Sequence, residues 1–458
     1  MTMKTLRNKH IWMLSLSLLL CSCGTYKKYE RPDVQVDSNY RDATAEDTLS
    51  IGKISWKDFF SDACLHTLIE QGLASNTDLK IAALRISEAE ASLTASRLAF
   101  LPAVSLQADG TLRSFDHAKA SQSYNVGISA DWDIDISGKR ANQLRSDKAE
   151  FLRVQANRQA VQSRLIAAIA EGYYSLLALD KKLEVSERTL RSWEKTIKVL
   201  QSLKKTGNAD EAAINQAEAN RLEVEANILD LRKLIQNGEN AMSSLLGVSP
   251  GPVSRGDLSQ QQFVSELSLG IPLQLLSNRP DVRMVEYDLE KAFYTTNKAR
   301  AAFYPNITLA GTAGWTNAGG QAIVNPGSML FNAVASLAQP LFNRGANMTN
   351  LKISKAQQEE ALLLFQQKLL DAGIEVNDAL KAWQTAHERL EIDSRRVEKL
   401  QKAVRNTQLT MTHGSTTYLE VLTAEQHLLQ AELDEVTDRY EEIQGVINLY
   451  YALGGGTE

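Results

Sequence analysis

Cysteine, proline and histidine are scarce in this chain, and each scarcity removes a class of protein. Three cysteines in 458 residues (Cys21, Cys23 and Cys64) cannot build a disulfide framework. Six histidines (His10, His66, His117, His387, His413 and His427) show neither HxxxH nor HExxH spacing, so no zinc centre is expected. P-loop and GxGxxG patterns are absent, and no enzyme is expected. Positive charge is not in excess: Lys plus Arg number 50 against 55 for Asp plus Glu, a net charge of -5 that disfavours nucleic acid as a partner. Nine prolines leave room for long unbroken helices rich in Ala, Leu, Gln, Glu and Lys. Beyond the N-terminus no run of 18 apolar residues exists, so any further membrane contact must use β-structure.

The N-terminus has the form of an export signal over residues 1–22. Lys4, Arg7 and Lys9 precede an apolar stretch from Ile11 to Leu20 that is too short to span a bilayer. Leu20-Cys21-Ser22-Cys23-Gly24 follows, and it resembles the bacterial lipobox, in which a small residue precedes the acylated cysteine. Cys23 is the expected site, carrying a covalent diacylglycerol and an N-acyl chain; no other cofactor is expected. Cys21 would place bulky Leu20 at the cleavage position.

The remainder is a duplication. At an offset of 203, Asp78 meets Asp281, Ala89 meets Ala292, Arg97 meets Arg300 and Pro102 meets Pro305. From Gly138 the offset is 207, pairing Gly138 with Gly345, Leu183 with Leu390, Gly207 with Gly414, Glu218 with Glu425 and Gly247 with Gly454. The four residues gained lie between Leu309 and Gly345, where a longer surface loop is tolerated.

Within each copy the hydrophobic period identifies the elements. Every seventh residue from Leu362 to Met411 is apolar (Leu369, Val376, Trp383, Leu390, Val397 and Val404 between them), with Phe365, Ala372, Ala379, Ala386 and Leu400 alongside. That is a coiled-coil seam, and Ile169, Leu176, Leu183, Leu190 and Ile197 repeat it in the first copy. A helix from about Gly138 to Gly207 would be about 100 Å long at the α-helical rise. Gly207 and Gly414 read as its two C-terminal stops, with hairpin tips at Thr206-Gly207-Asn208 and His413-Gly414-Ser415.

Four shorter segments change period to two. Leu106, Ala108, Gly110 and Leu112 alternate with polar neighbours, as do Tyr124, Val126, Ile128, Ala130, Trp132 and Ile134 against Asn125, Ser129, Asp131 and Asp133. Ile307, Leu309, Gly311, Ala313 and Trp315 repeat the pattern, and a weaker fourth strand is expected near Ser328 to Leu341. A strand with one greasy and one polar face divides lipid from water. Asp131, Asp133 and Asp135 could line a lumen or end a solvated turn. Four strands cannot close a barrel and open edges are not tolerated in lipid, so several chains must contribute, eight strands from a dimer or twelve from a trimer.

Several motifs stand in a specific order: Cys23, Tyr29-Glu30-Arg31-Pro32, Trp56 with Phe59-Phe60, Phe100-Leu101-Pro102 and Phe303-Tyr304-Pro305, Asn278-Arg279-Pro280-Asp281, Gln339-Pro340-Leu341-Phe342, and Gly414 before Tyr418-Leu419-Glu420-Val421-Leu422. Together they resemble the TolC-like outer membrane factors, specifically the lipidated branch serving efflux systems of the resistance-nodulation-division (RND) class. The resemblance implies a mainly α protein with a membrane β-barrel: a homotrimer whose twelve-stranded barrel continues as a twelve-helix periplasmic tunnel. It implies a passive conduit in the outer membrane, contacting lipid, a periplasmic adaptor (membrane fusion protein) and an inner-membrane RND transporter. The periplasmic gate falls on Leu419, Glu420 and Thr423, where three copies of Glu420 would form an acidic ring. Relatives often carry a second acidic residue at the position of Thr423, so a single ring is expected. Adaptor contacts fall on the tips, at Gly207, Asn208, Gly414 and Ser415.

The expected organisation is a signal over 1–22, a lipid-anchored segment over 23–55, a first repeat over 56–250, a linker over 251–271, a second repeat over 272–453 and a tail over 454–458. Strands are expected over about 103–136 and 306–341, and tunnel helices over about 138–206, 209–246, 344–412 and 416–453. A conduit for an ABC-type protein exporter fits the same architecture, and a lipid-anchored coiled-coil scaffold without a lumen would leave the strands without a purpose.

Overall fold

The computed structural model describes residues 26–32, 54–116, 120–261, 276, 279–317, 328–412 and 418–457. Its elements are α1 (Trp56–Phe59), α2 (Ala63–Ser75), α3 (Thr77–Leu98), β1 (Ala103–Arg113), β2 (Ser121–Ile134), α4 (Lys139–Lys205), α5 (Glu211–Leu246), α6 (Pro280–Ala301), β3 (Asn306–Thr316), β4 (Ser328–Ala338), α7 (Ala346–Thr412) and α8 (Tyr418–Ala452). The order helix, two strands, very long helix, returning helix occurs twice. α4 and α7 have 67 residues each.

Two compact units emerge. The first takes in residues 84–155 and 283–367 with the described N-terminal residues, and the second the described parts of 35–83, 156–282 and 368–458.

The first unit holds the sheet, antiparallel in the order β1-β2-β3-β4, so the two copies lie side by side. Its register sorts the alternating residues onto faces. Leu106 pairs with Ile128, Ile128 with Ala313 and Ala313 with Phe331, one apolar row across all four strands. One residue along, Ser129 pairs with Ser105 and Thr312, and Thr312 with Asn332, on the polar face. Gly127 and Gly314 oppose each other so closely that a Cβ on Gly314 would lie 2.4 Å from Gly127 Cα, so only glycine fits that crossing. Below the sheet, Asp133 accepts from Arg140 Nη2 at 2.5 Å and from Thr308 Oγ1 at 2.8 Å. Asp135 accepts from the Ala141 amide at 2.8 Å, capping the start of α4. Both acids therefore serve the strand-to-helix junction. Further along, Glu150 accepts from Arg153 within α4 and from Lys291 of α6, and Thr296 Oγ1 of α6 donates to the Ser354 carbonyl of α7 at 3.0 Å.

In the second unit the heptad stripes are buried: Ile169, Leu176, Ile197 and Leu200 on α4, and Leu369, Val376, Val397, Val404 and Met411 on α7. Two glycines a repeat apart let the return helices approach. A Cβ on Gly238 of α5 would meet Leu176 Cδ2 at 2.8 Å, and one on Gly445 of α8 would meet Trp383 Cα at 2.8 Å. The copies also share a tether. Asn76 Nδ2 donates to the Leu245 carbonyl at 2.9 Å, and Arg279 Nη1, 203 positions on, donates to the Ala452 carbonyl at 2.8 Å. The chain end is packed: Tyr450 stacks on Phe59 at 4.0 Å and accepts from the Gly456 amide at 2.8 Å.

Candidate functional site

Two features carry functional geometry, and the first is the sheet. Every residue of β1 and β4 is exposed, and these are its two edges. Among the described residues no strand pairs with either outer edge. The apolar face is bare, with Leu106 77% and Phe331 76% accessible. In water such a surface is an aggregation hazard; in lipid it is at home, provided other chains pair the edges. Among the described residues no helix is long and apolar enough to cross a membrane.

The second feature is the pair of helical hairpins. α4 ends in a Schellman turn: the Gly207 amide donates to the Lys204 carbonyl at 3.0 Å and the Asn208 amide to the Leu203 carbonyl at 2.9 Å. Gly207 takes φ +73°, which the turn requires. Asp210 caps α5 through the Ala213 amide at 2.8 Å. The first hairpin turn thus places Gly207 and Asn208 at its surface. Gly414 and Ser415, the second tip, lie outside the described residues, as does Cys23.

Behind the tips an apolar cluster joins four helices: Trp193, Ile197 and Leu200 of α4, Ile214 and Ala217 of α5, Met411 of α7, and Val421 and Leu422 of α8. α8 therefore presents opposite characters on opposite sides of its first turns. Val421, Leu422 and Glu425 are buried, while Leu419, Glu420 and Thr423 share an exposed face. Thr423 Oγ1 donates back to the Leu419 carbonyl at 2.8 Å.

Buried acids beside this face escaped sequence reasoning. Glu425 Oε1 accepts from Ser192 Oγ (3.1 Å) and Thr196 Oγ1 (3.0 Å) of α4 and from Gln408 Nε2 (2.8 Å) of α7. Burial pushes its carboxyl above the usual range despite these donors. One heptad on, Glu432 accepts from Arg188 Nη2 at 2.6 Å and Gln401 Nε2 at 3.3 Å. Their positions in the apolar register of α8 were the available signal. Farther along, Arg279 is buried and contacts Asp281 at 2.8 Å and Glu375 at 2.5 Å, and Asp281 meets Lys368 at 2.7 Å. Burial would raise Asp281, but Arg279 and Lys368 outweigh it and hold it at about 2. Among the described residues no group of His, Cys, Asp and Glu is placed to hold a metal ion.

A membrane-facing sheet and a hairpin carrying an acidic face suggest a conduit, and comparison with known proteins agrees. The cation efflux system protein CusC of Escherichia coli K12 is 27% identical, covering 96% of this chain and 98% of CusC. The probable outer membrane lipoprotein SilC of Salmonella typhimurium is 26% identical over 97% of this chain and 98% of its own length. Among solved structures, the open state of the Neisseria gonorrhoeae MtrE outer membrane channel superposes with a TM-score of 0.88 at 26% identity, covering 95% of this chain and 99% of MtrE. The outer membrane efflux protein family model matches residues 68–248 and 271–455. By that match across both copies, the chain belongs to the outer membrane efflux protein family.

Proposed function

We propose that three copies of this chain form the outer membrane channel of a tripartite efflux pump, a passive conduit for small molecules leaving the periplasm. The observation that carries the reading is the four-stranded sheet with one apolar face, one polar face and two unpaired edges. Three such sheets give twelve strands, enough to close a barrel with a polar interior. The long hairpins supply a periplasmic tunnel, and an adaptor docks its own helices at the Gly207 and Gly414 tips, linking the channel to an inner-membrane RND transporter. Acylated Cys23 anchors the chain. Tyr26, three residues on, packs its ring against Gly138 at the sheet-to-helix junction of the first unit, which suits an anchor at the membrane boundary. No chemical step is required of the chain. The transporter selects and energises, and Glu420 at the gate favours cations by its charge.

Detergent-purified mature protein tests this directly. A hollow particle with the mass of three chains, conducting ions in planar bilayers, is the expected result; a monomer without conductance overturns it. Glu420→Ala should weaken cation selectivity while leaving assembly intact. Cys23→Ala should abolish lipid labelling.

A further inference from the structure

Along α8, residues Ala431, Asp438, Gly445 and Ala452 recur every seventh position, and all four are buried. Three are alanine or glycine, as close helix approach demands. The fourth is an aspartate with 0% of its side chain exposed. An ionised carboxylate in such a place is costly, and Asp438 has an ion pair with Arg389 but no hydrogen bond to its oxygens. Arg389 of α7 brings Nη2 to 2.7 Å from Oδ1 but lies off the hydrogen-bonding direction, so neither oxygen receives a hydrogen bond. Arg389 is itself half exposed and drawn towards Glu441 at 3.7 Å. The group placed to hydrogen-bond Asp438 is another carboxyl, that of Asp393 on α7. Two ionised carboxylates in contact are acceptors without a donor; a single proton converts the pair into an O–H···O bond.

Charge balance points the same way. α7 supplies Asp393, Arg389 and Arg396, the last lying 3.5 Å from Asp393 and 3.0 Å from Asp434. α8 adds Asp434 and Glu441, and α4 adds Lys182, which burial drives towards neutrality while Asp434 and Glu441 favour its charge. Asp393, Asp434, Asp438 and Glu441 thus stand against Arg389, Arg396 and Lys182, and one retained proton makes the set neutral. At an offset of 207 the first copy has Ser186 for Asp393 and Leu231 for Asp438, so the arrangement belongs to the second hairpin alone.

We propose that Asp393 and Asp438 share one proton that joins α7 to α8, and that its release to solvent as acidity falls loosens the hairpin bearing Leu419 and Glu420. The gating consequence rests on the conduit reading; the shared proton does not. Burial first, then contact with Asp393, raises Asp438 from 3.8 to about 6. The sign follows: the proton's contribution to stability is complete below pH 3.8, declines as pH rises and is gone above about 6. Across that interval the unfolding equilibrium constant should rise on the order of a hundredfold.

The test uses the full mature protein in detergent, with unfolding followed from pH 4 to 7. The wild type should lose stability across the interval, and Asp438→Asn should lose that dependence. Asp393→Asn, at the less buried partner, should do the same and serves where Asp438→Asn folds poorly. Subtracting either variant's infrared spectrum at pH 5 from that of the wild type should leave a protonated-carboxyl band. A pH dependence unchanged in both variants, or the absence of that band, overturns the shared proton. In planar bilayers, open probability rising with pH in the wild type and flat in Asp438→Asn supports gating, and identical profiles overturn it. No conductance from either protein counts against the conduit reading instead, and the unfolding result still decides the proton.

Discussion

The two hairpins descend from one ancestral segment, yet they are held together by different chemistry. In the first copy Glu218 and Glu225 are exposed, and Glu225 makes only an i,i+4 pair with Arg221. Their counterparts Glu425 and Glu432 are 4% and 7% accessible and gripped from both α4 and α7. Neutral Asn76 tethers the end of α5, whereas charged Arg279 tethers the end of α8 within a network of Asp281, Glu375 and Lys368. Leu231 is the first copy's equivalent of Asp438. The backbone skeleton tolerates either filling. Ion pairs join the first hairpin as well, Arg255 to Asp180 and Glu239 and Arg232 to Glu187, so what sets the copy bearing the gate face apart is that its equivalent acids are buried and that Asp393 and Asp438 face each other.

Paired substitutions can break this comparison. The largest effect is expected for Arg279→Ala, which breaks the ion pairs of a buried guanidinium with Asp281 and Glu375 and frees the Ala452 carbonyl, and should cost about 3–5 kcal/mol. Asn76→Ala loses a neutral cap and should cost about 1 kcal/mol; denaturant unfolding measures both, and equal costs would erase the contrast. Next, Gly445→Ala drives a Cβ into the Trp383 backbone and should cost up to about 3 kcal/mol. Gly238→Ala meets only the end of the Leu176 side chain and gains helix propensity, so it should stay within about 1 kcal/mol of wild type.

A pH series sharpens the same point. Asp281, held at about 2, stabilises the fold above pH 3.8, and that contribution disappears as pH falls towards 2. Asp281→Asn should therefore flatten the acid limb of a plot of melting temperature against pH, a slope opposite in sign to that of Asp438. The smallest difference is expected between Glu432→Gln, about 1.5 kcal/mol through its charged hydrogen bond, and Glu225→Gln, about 0.3–0.5 kcal/mol at an exposed helix pair.

Much of this architecture was legible before any coordinates. Period two in Leu106–Leu112 and Tyr124–Ile134 identified strands because each face meets a different solvent. Period seven in Leu362–Met411 identified the long helix, and Gly207 its stop, because each follows from local geometry. What escaped was whatever depends on which helix lies next to which. Glu218 and Glu425 are the same residue at equivalent positions, and only the layering of α4, α7 and α8 buries one of them. Asp133 and Asp135 looked like lumen charges or a turn end, but the first takes Arg140 and Thr308 and the second caps α4. Asp438 could have been suspected from its place in an Ala-Gly heptad row; its partner Asp393, on another helix, could not.

The unpaired outer edges of β1 and β4 carry a genetic consequence. In a ring closed by three identical sheets, every chain supplies one half of each of two junctions, so one chain with a damaged edge spoils whichever ring it enters. Alleles that injure these strands but spare the hairpins should therefore be dominant over a normal copy, whereas alleles that prevent the chain from folding at all should be recessive.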